Sequence, residues 1–84
     1  MVVHPFKMHV SPGQSALVQD FLFRHGYSWA SSEKTIAMTD WPFLFFENDE
    51  LTCGRCKDTY EQDSLPKLRF KTFDNKYMQS EIPD

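Results

Sequence analysis

Phe6, Met8 and Val10 fall on one side of an extended segment, and Lys7 and His9 on the other. This two-residue period predicts a half-buried strand over residues 2–10, with Pro5 marking an edge or a late start. The period then changes. Leu17, Val18, Phe21 and Leu22 recur at helical spacing, with Gln14, Gln19 and Arg24 largely off that stripe. Ser11 stands where an N-cap is needed, Pro12 at the first helical position, and Gln14 three residues on, so that Ser-x-x-Gln forms a capping box. Gly26 supplies the left-handed stop, and His25 sits in the last turn.

Alternation resumes at Tyr27 and Trp29, predicting a strand over residues 27–30 and, after the polar turn Ser31-Ser32-Glu33-Lys34, a return strand over 35–38. Thr39-Asp40-Trp41-Pro42 is a break, because a proline restricts the residue before it. Phe43-Leu44-Phe45-Phe46 is apolar in every position, the pattern of a central strand covered on both faces. A turn at Glu47-Asn48-Asp49-Glu50 leads into a short strand over 51–53. Residues 54–64 are polar enough for one or two helical turns around Tyr60, and 68–73 alternate as a final strand. Residues 74–84 read as a polar, mobile tail. The order strand, helix, four strands, short helix, strand describes a single α+β domain over 1–73, with one main helix packed on a twisted, mainly antiparallel sheet.

A chain of 84 residues is near the size at which one core just suffices. Eight Phe, two Trp and three Tyr supply the large side chains such a core needs, without a metal or disulfide staple. Dimerisation is the other route to stability, and a homodimer stays open. The net charge of −3 is too mild for a protein built to grip nucleic-acid phosphates, and equally too mild for a mimic of them. The longest aromatic-aliphatic run, Phe43 to Phe46, is far too short to span a membrane, and the N-terminus carries no export pattern. A cytoplasmic protein is expected.

Two stretches are informative when read together. One is Leu22-Phe23-Arg24-His25-Gly26-Tyr27-Ser28-Trp29, in which a capped helix closes on Gly-Tyr-x-Trp. The other is Thr39-Asp40-Trp41-Pro42-Phe43-Leu44-Phe45-Phe46, an Asp-x-x-aromatic strand followed by an acidic turn and Tyr60-Glu61. Together they resemble small accessory proteins of tailed bacteriophages, a resemblance that follows the order of elements over roughly residues 6–73. It implies a setting, a phage protein that acts on a protein of the bacterial host cell, and carries over no catalytic or binding residues.

Candidate chemistry is sparse. Cys53-Gly54-Arg55-Cys56 could be a thiol-redox pair, half of a zinc site, or two reduced cysteines in a turn. A redox motif belongs after the first strand, opening a long helix, and no second cysteine pair or His-x3-His completes a zinc set among His4, His9 and His25. The turn reading is favoured, and no cofactor is expected. His9 and His25 lack a visible nucleophile or carboxylate partner and read as surface residues. Glu47, Asp49 and Glu50 lack the alternation and the glycine of a calcium loop.

The aromatics suggest more. Phe23, Trp41 and Phe73 lie off the faces assigned inward, and exposed aromatics close together mark interaction surfaces. The expectation is a non-enzymatic protein that binds a host protein through Phe23, Trp41 and Phe73, with Glu47, Asp49 and Glu50 on the rim. The alternative is a small-ligand or nucleotide binder using Arg55, Lys57, Arg69 and Lys71.

Overall fold

The computed structural model of the chain describes residues 2–79. Its elements are β1 (Phe6–His9), α1 (Pro12–Arg24), β2 (Ser28–Trp29), β3 (Phe43–Glu47), β4 (Glu50–Gly54), α2 (Lys57–Gln62) and α3 (Phe70–Phe73). A π-helical turn, Asp74–Met78, continues α3. The four strands form one sheet in the order β1-β3-β4-β2, and α1 lies across one face, so the domain is α+β.

Helix α1 begins and ends where its sequence signals stand. The Ser11 hydroxyl accepts from Gln14 N–H, and the Gln14 side chain accepts from Ser11 N–H. At the other end Gly26 adopts φ +92, Tyr27 N–H donates to Leu22 O and Gly26 N–H to Phe23 O. These two bonds close a Schellman motif and satisfy carbonyls the helix itself cannot.

The buried face of α1 is rotated from the hydrophobic stripe. Ser15, Val18, Gln19, Phe21 and Leu22 are buried, and Leu17 is exposed. Gln19 can enter because its amide is fully used: Nε2 donates to Ser15 Oγ and Ala37 O, and Oε1 accepts from Ala37 N–H. The amide stands in for a neighbouring strand and fixes residues 31–42 against the helix.

Strand β3 is covered on both faces, as its four apolar residues require. Leu44 and Phe46 point into the main core with Phe6, Met8, Leu51 and Phe21. On the opposite face Phe43 stacks on Tyr60 of α2 at 4.5 Å. Lys7 is on that face too and is buried, its ammonium donating to the carbonyls of Tyr60, Glu61 and Asp63. A cation at the carbonyl end of a helix meets both the unpaired acceptors and the negative end of the dipole. Hairpin β3–β4 turns through Asn48 and Asp49, both at positive φ, as a two-residue type I′ turn needs.

Three expectations are corrected. Residues 35–38 form no strand: the turn over Trp29–Glu33 closes, with Ser32 at φ +74, but Trp29 Nε1 then takes the Thr35 carbonyl and Gln19 takes the backbone groups of Ala37, the bonds a strand neighbour would have made. Residues 68–73 form no strand: the chain makes one bridge just before them, Lys7 to Lys67, and then turns helical, because Phe70, Phe73 and Tyr77 also recur at helical spacing. The domain does not end at residue 73, since Tyr77 is buried against Phe21 and Phe73. The remainder of the expected tail, residues 80–84, lies outside the described residues. Strand β2 pairs parallel to β4, whereas the other two pairings are antiparallel.

Candidate functional site

Four strands about 4.8 Å apart make a sheet wider than a single helix about 10 Å across can cover. Helix α1 serves β1 and β3, and the segment 30–42 crosses the same face over β4 on its way from β2 to β3. Between that segment and β4 lies a cavity of about 340 Å³, walled by Trp29, Leu51 and Cys53 from the sheet and by Ala37, Met38 and Trp41 from the crossing segment. Its lining is mainly apolar, with Glu33 as its one carboxylate.

The crossing segment is held by two side chains and a backbone bond instead of by a ladder. Trp29 Nε1 donates to Thr35 O, Gln19 holds Ala37, and Val10 N–H donates to Pro42 O. Met38 sits at φ +53, a left-handed conformation that an unbranched apolar residue seldom takes. This turn brings Met38 Sδ to 3.6 Å from Cys53 Sγ, while Ile36 and Met38 remain exposed. Trp41 is half-buried, with the Arg55 guanidinium 4.4 Å above its ring and Asp40 3.9 Å from that guanidinium.

The expected contact residues divide. Trp41 borders the cavity. Phe23 is half-buried and packs on Trp29 at 6.1 Å, behind the cavity wall. Phe73 is fully buried between Phe6 and Phe21, so its expected exposure is corrected; its partners lie far away in the chain. Glu47, Asp49 and Glu50 are exposed at the hairpin tip, where Glu47 and Glu50 oppose each other across the strands. Among the described residues none of the three has a cation partner. Like charges placed directly opposite weaken a sheet pair, so the fold does not account for them. Sequence reasoning missed Ile36, Ala37 and Met38 as site residues. The usable signal was the apolar run Ile36-Ala37-Met38 between the polar stretch 31–35 and the break at Pro42.

Neither sheet edge is open to an added strand. Lys7 N–H donates to Pro66 O and Leu68 N–H to Lys7 O along β1, while Trp29 N–H donates to Glu33 O and Ser32 N–H to Trp29 O along β2. Recognition by strand addition is therefore blocked at both edges.

The Cys53-x-x-Cys56 pair straddles the end of β4 and the start of α2. Cys56 is the N-cap of α2, its sulfur accepting from Thr59 N–H at 3.5 Å, and hydrogen bonding from Thr59 holds its thiol below the ordinary value. Burial pushes the Cys53 thiol up, partly countered by Arg55. Both cysteines are free. Among the described residues no three His, Cys, Asp or Glu side chains gather as a metal set, and no helix is long and apolar enough to cross a membrane.

Of the four cations considered for a small ligand, Arg69 and Lys71 line a common groove. Arg55 belongs to Trp41, and Lys57 opens α2. The fold and its geometry define a small α+β domain with an apolar cavity between the crossing segment and the sheet. No protein-family model matches the chain, and neither does any curated protein sequence or solved structure.

Proposed function

We propose that this chain is a non-enzymatic interaction protein that docks on a partner protein through the cavity beneath residues 30–42. The partner places one apolar side chain among Trp29, Met38 and Trp41 and sets basic side chains against Glu47, Asp49 and Glu50. In the setting the phage resemblance implies, that partner is a protein of the bacterial host, which the chain inhibits or redirects.

One observation carries this reading: an apolar cavity walled in part by exposed Met38 lies on the strand that begins at the carboxylate cluster Glu47, Asp49 and Glu50, which has no cation partner among the described residues. Apolar centres with charged rims are how protein interfaces are built, and charge complementarity selects the partner. The left-handed Met38 adds to it, because strained backbone persists where the surrounding structure holds a side chain in place for use. The ionisable side chains of the cavity lining are Glu33 and Cys53, and burial favours the protonated form of the latter.

The test is capture from bacterial lysate with three tagged proteins: the wild type, Trp41→Ala and Met38→Lys, each checked for folding by circular dichroism. The expected result is one stoichiometric host protein held by the wild type and lost by both variants. Equal retention by both folded variants would remove the cavity from the interface. Self-association through this face, read as a concentration-dependent mass, would make the partner a second copy instead of a host protein.

A further inference from the structure

The second concave site lies across the sheet from the docking cavity and has the opposite charge. It is a groove of about 620 Å³ where His9 at the end of β1, Gln14 in the first turn of α1, and the segment 67–71 converge over Tyr60. Three of the chain's nine Lys and Arg, namely Lys67, Arg69 and Lys71, line it, and among the described residues no Asp or Glu does. For a chain of net charge −3, this is a local reversal of sign.

The local structure accounts for the convergence. Lys67 is bridged to Lys7 and Arg69 is extended at φ −79, ψ 149, so these alternate residues share one side of the strand-like segment. Lys71 follows in the first turn of α3 and lines the same groove. The cations are not equally occupied. Lys67 donates to Glu61 at 2.9 Å, and this bond holds the Glu61 carboxyl below the usual carboxylate range. Arg69 and Lys71 have no carboxylate partner among the described residues. Two unneutralised cations facing one hollow are a receptor for a multiply charged anion, the guanidinium offering a planar fork for phosphate oxygens.

The dimensions choose among anions. A volume of this size falls within the roughly 300–1,000 Å³ of small-molecule sites and exceeds what inorganic phosphate or pyrophosphate fills. The exposed ring of His9, which lies 5.2 Å from that of Phe43, and the half-buried Phe70 give the groove flat apolar surface beside its charges. A long polyanion would extend beyond these few cations over an acidic protein, where it gains nothing further. We propose that this groove binds a phosphate-bearing small molecule of nucleotide size, with its phosphates between Arg69 and Lys71 and its flat part against His9 and Phe70. The site is separate from the docking cavity, and neither reading depends on the other.

Isothermal titration of the full chain with ADP, pyrophosphate and a single-stranded twelve-nucleotide DNA tests it. ADP should bind more tightly than pyrophosphate and more tightly than the oligonucleotide, with affinity falling as salt is raised. The double variant Arg69→Gln/Lys71→Gln, whose exposed side chains the fold does not use, should keep its thermal midpoint and lose at least about tenfold in affinity. Lys34→Gln, on the crossing segment, should bind ADP as the wild type does. No binding of ADP at millimolar concentration would overturn the proposal, as would unchanged affinity in the double variant. Equal affinity for pyrophosphate would remove the nucleotide part, and tighter binding of the oligonucleotide would replace the small ligand with a nucleic acid.

Discussion

Cys53 and Cys56 are three positions apart and meet opposite surroundings. Cys56 is exposed and hydrogen-bonded by Thr59, which favours its thiolate; Cys53 is half-buried beside Met38, which favours its thiol. Because alkylation proceeds through the thiolate, the two rates should rise at different pH. Cys56 should react first with iodoacetamide, its rate climbing at a pH below that of an ordinary thiol, while Cys53 needs a higher pH. Mass spectrometry of samples quenched across a pH series reads both sites at once. Faster modification of Cys53 would mean that its burial under Met38 does not persist in solution. Lys7 makes the same point for an ammonium group: its position on the nominally polar face of β1 says nothing of burial, because helix α2 brings three carbonyls to it.

At the scale of elements, the middle of the segment 31–42 is anchored to the helix by one side chain, Gln19. Gln19→Leu preserves the volume and the helix but leaves the N–H and carbonyl of Ala37 without their partners. The variant should lose about 1–3 kcal/mol of stability, the usual cost of stranding such groups. In native-state hydrogen exchange the Ala37 amide should lose its protection while those of β3 and β4 keep theirs; unchanged protection at Ala37 would show that the segment is held by other contacts. The sequence pattern could not reveal this anchor. A glutamine beside an apolar stripe reads as solvent-facing, and only the arrival of Ala37 makes it a core residue. The elements that were legible carry their signals locally: Ser11 and Gln14 at one end of α1, Gly26 at the other, and Asn48-Asp49 in the hairpin. The quartet 35–38 and the run 68–73 were misread because alternation over so few residues is shared with other conformations. Of the site, Trp41 was legible as an aromatic off every inward face. The cavity was not, since it exists only where the crossing segment covers what α1 leaves of the sheet.

For the molecule as a whole, the question is what closes the core opposite the crossing segment, and the answer lies beyond the predicted boundary of the domain. Phe6, Phe21, Phe73 and Tyr77 form a chain of ring contacts, with Phe73–Tyr77 at 5.1 Å and Phe21–Tyr77 at 6.3 Å. His4 N–H also donates to the Tyr77 hydroxyl at 3.4 Å, tying the π-helical turn to the residues that precede β1. A chain of 84 residues has a total stability of roughly 4–13 kcal/mol at the usual 0.05–0.15 kcal/mol per residue. Truncating a buried aromatic costs about 3–5 kcal/mol, so Tyr77→Ala removes a large share of what the domain has. Tyr77→Phe keeps the ring contacts and gives up only the hydroxyl, which should cost about 1 kcal/mol. Urea denaturation of the two variants separates the ring from the hydroxyl, through the midpoint at constant slope. If the Ala variant unfolds at the wild-type midpoint, Tyr77 lies outside the cooperative unit and the domain does end at Phe73. If it falls by the expected amount, the π-helical turn is part of the core, and any shortened version of the protein has to keep residues 74–79 to fold.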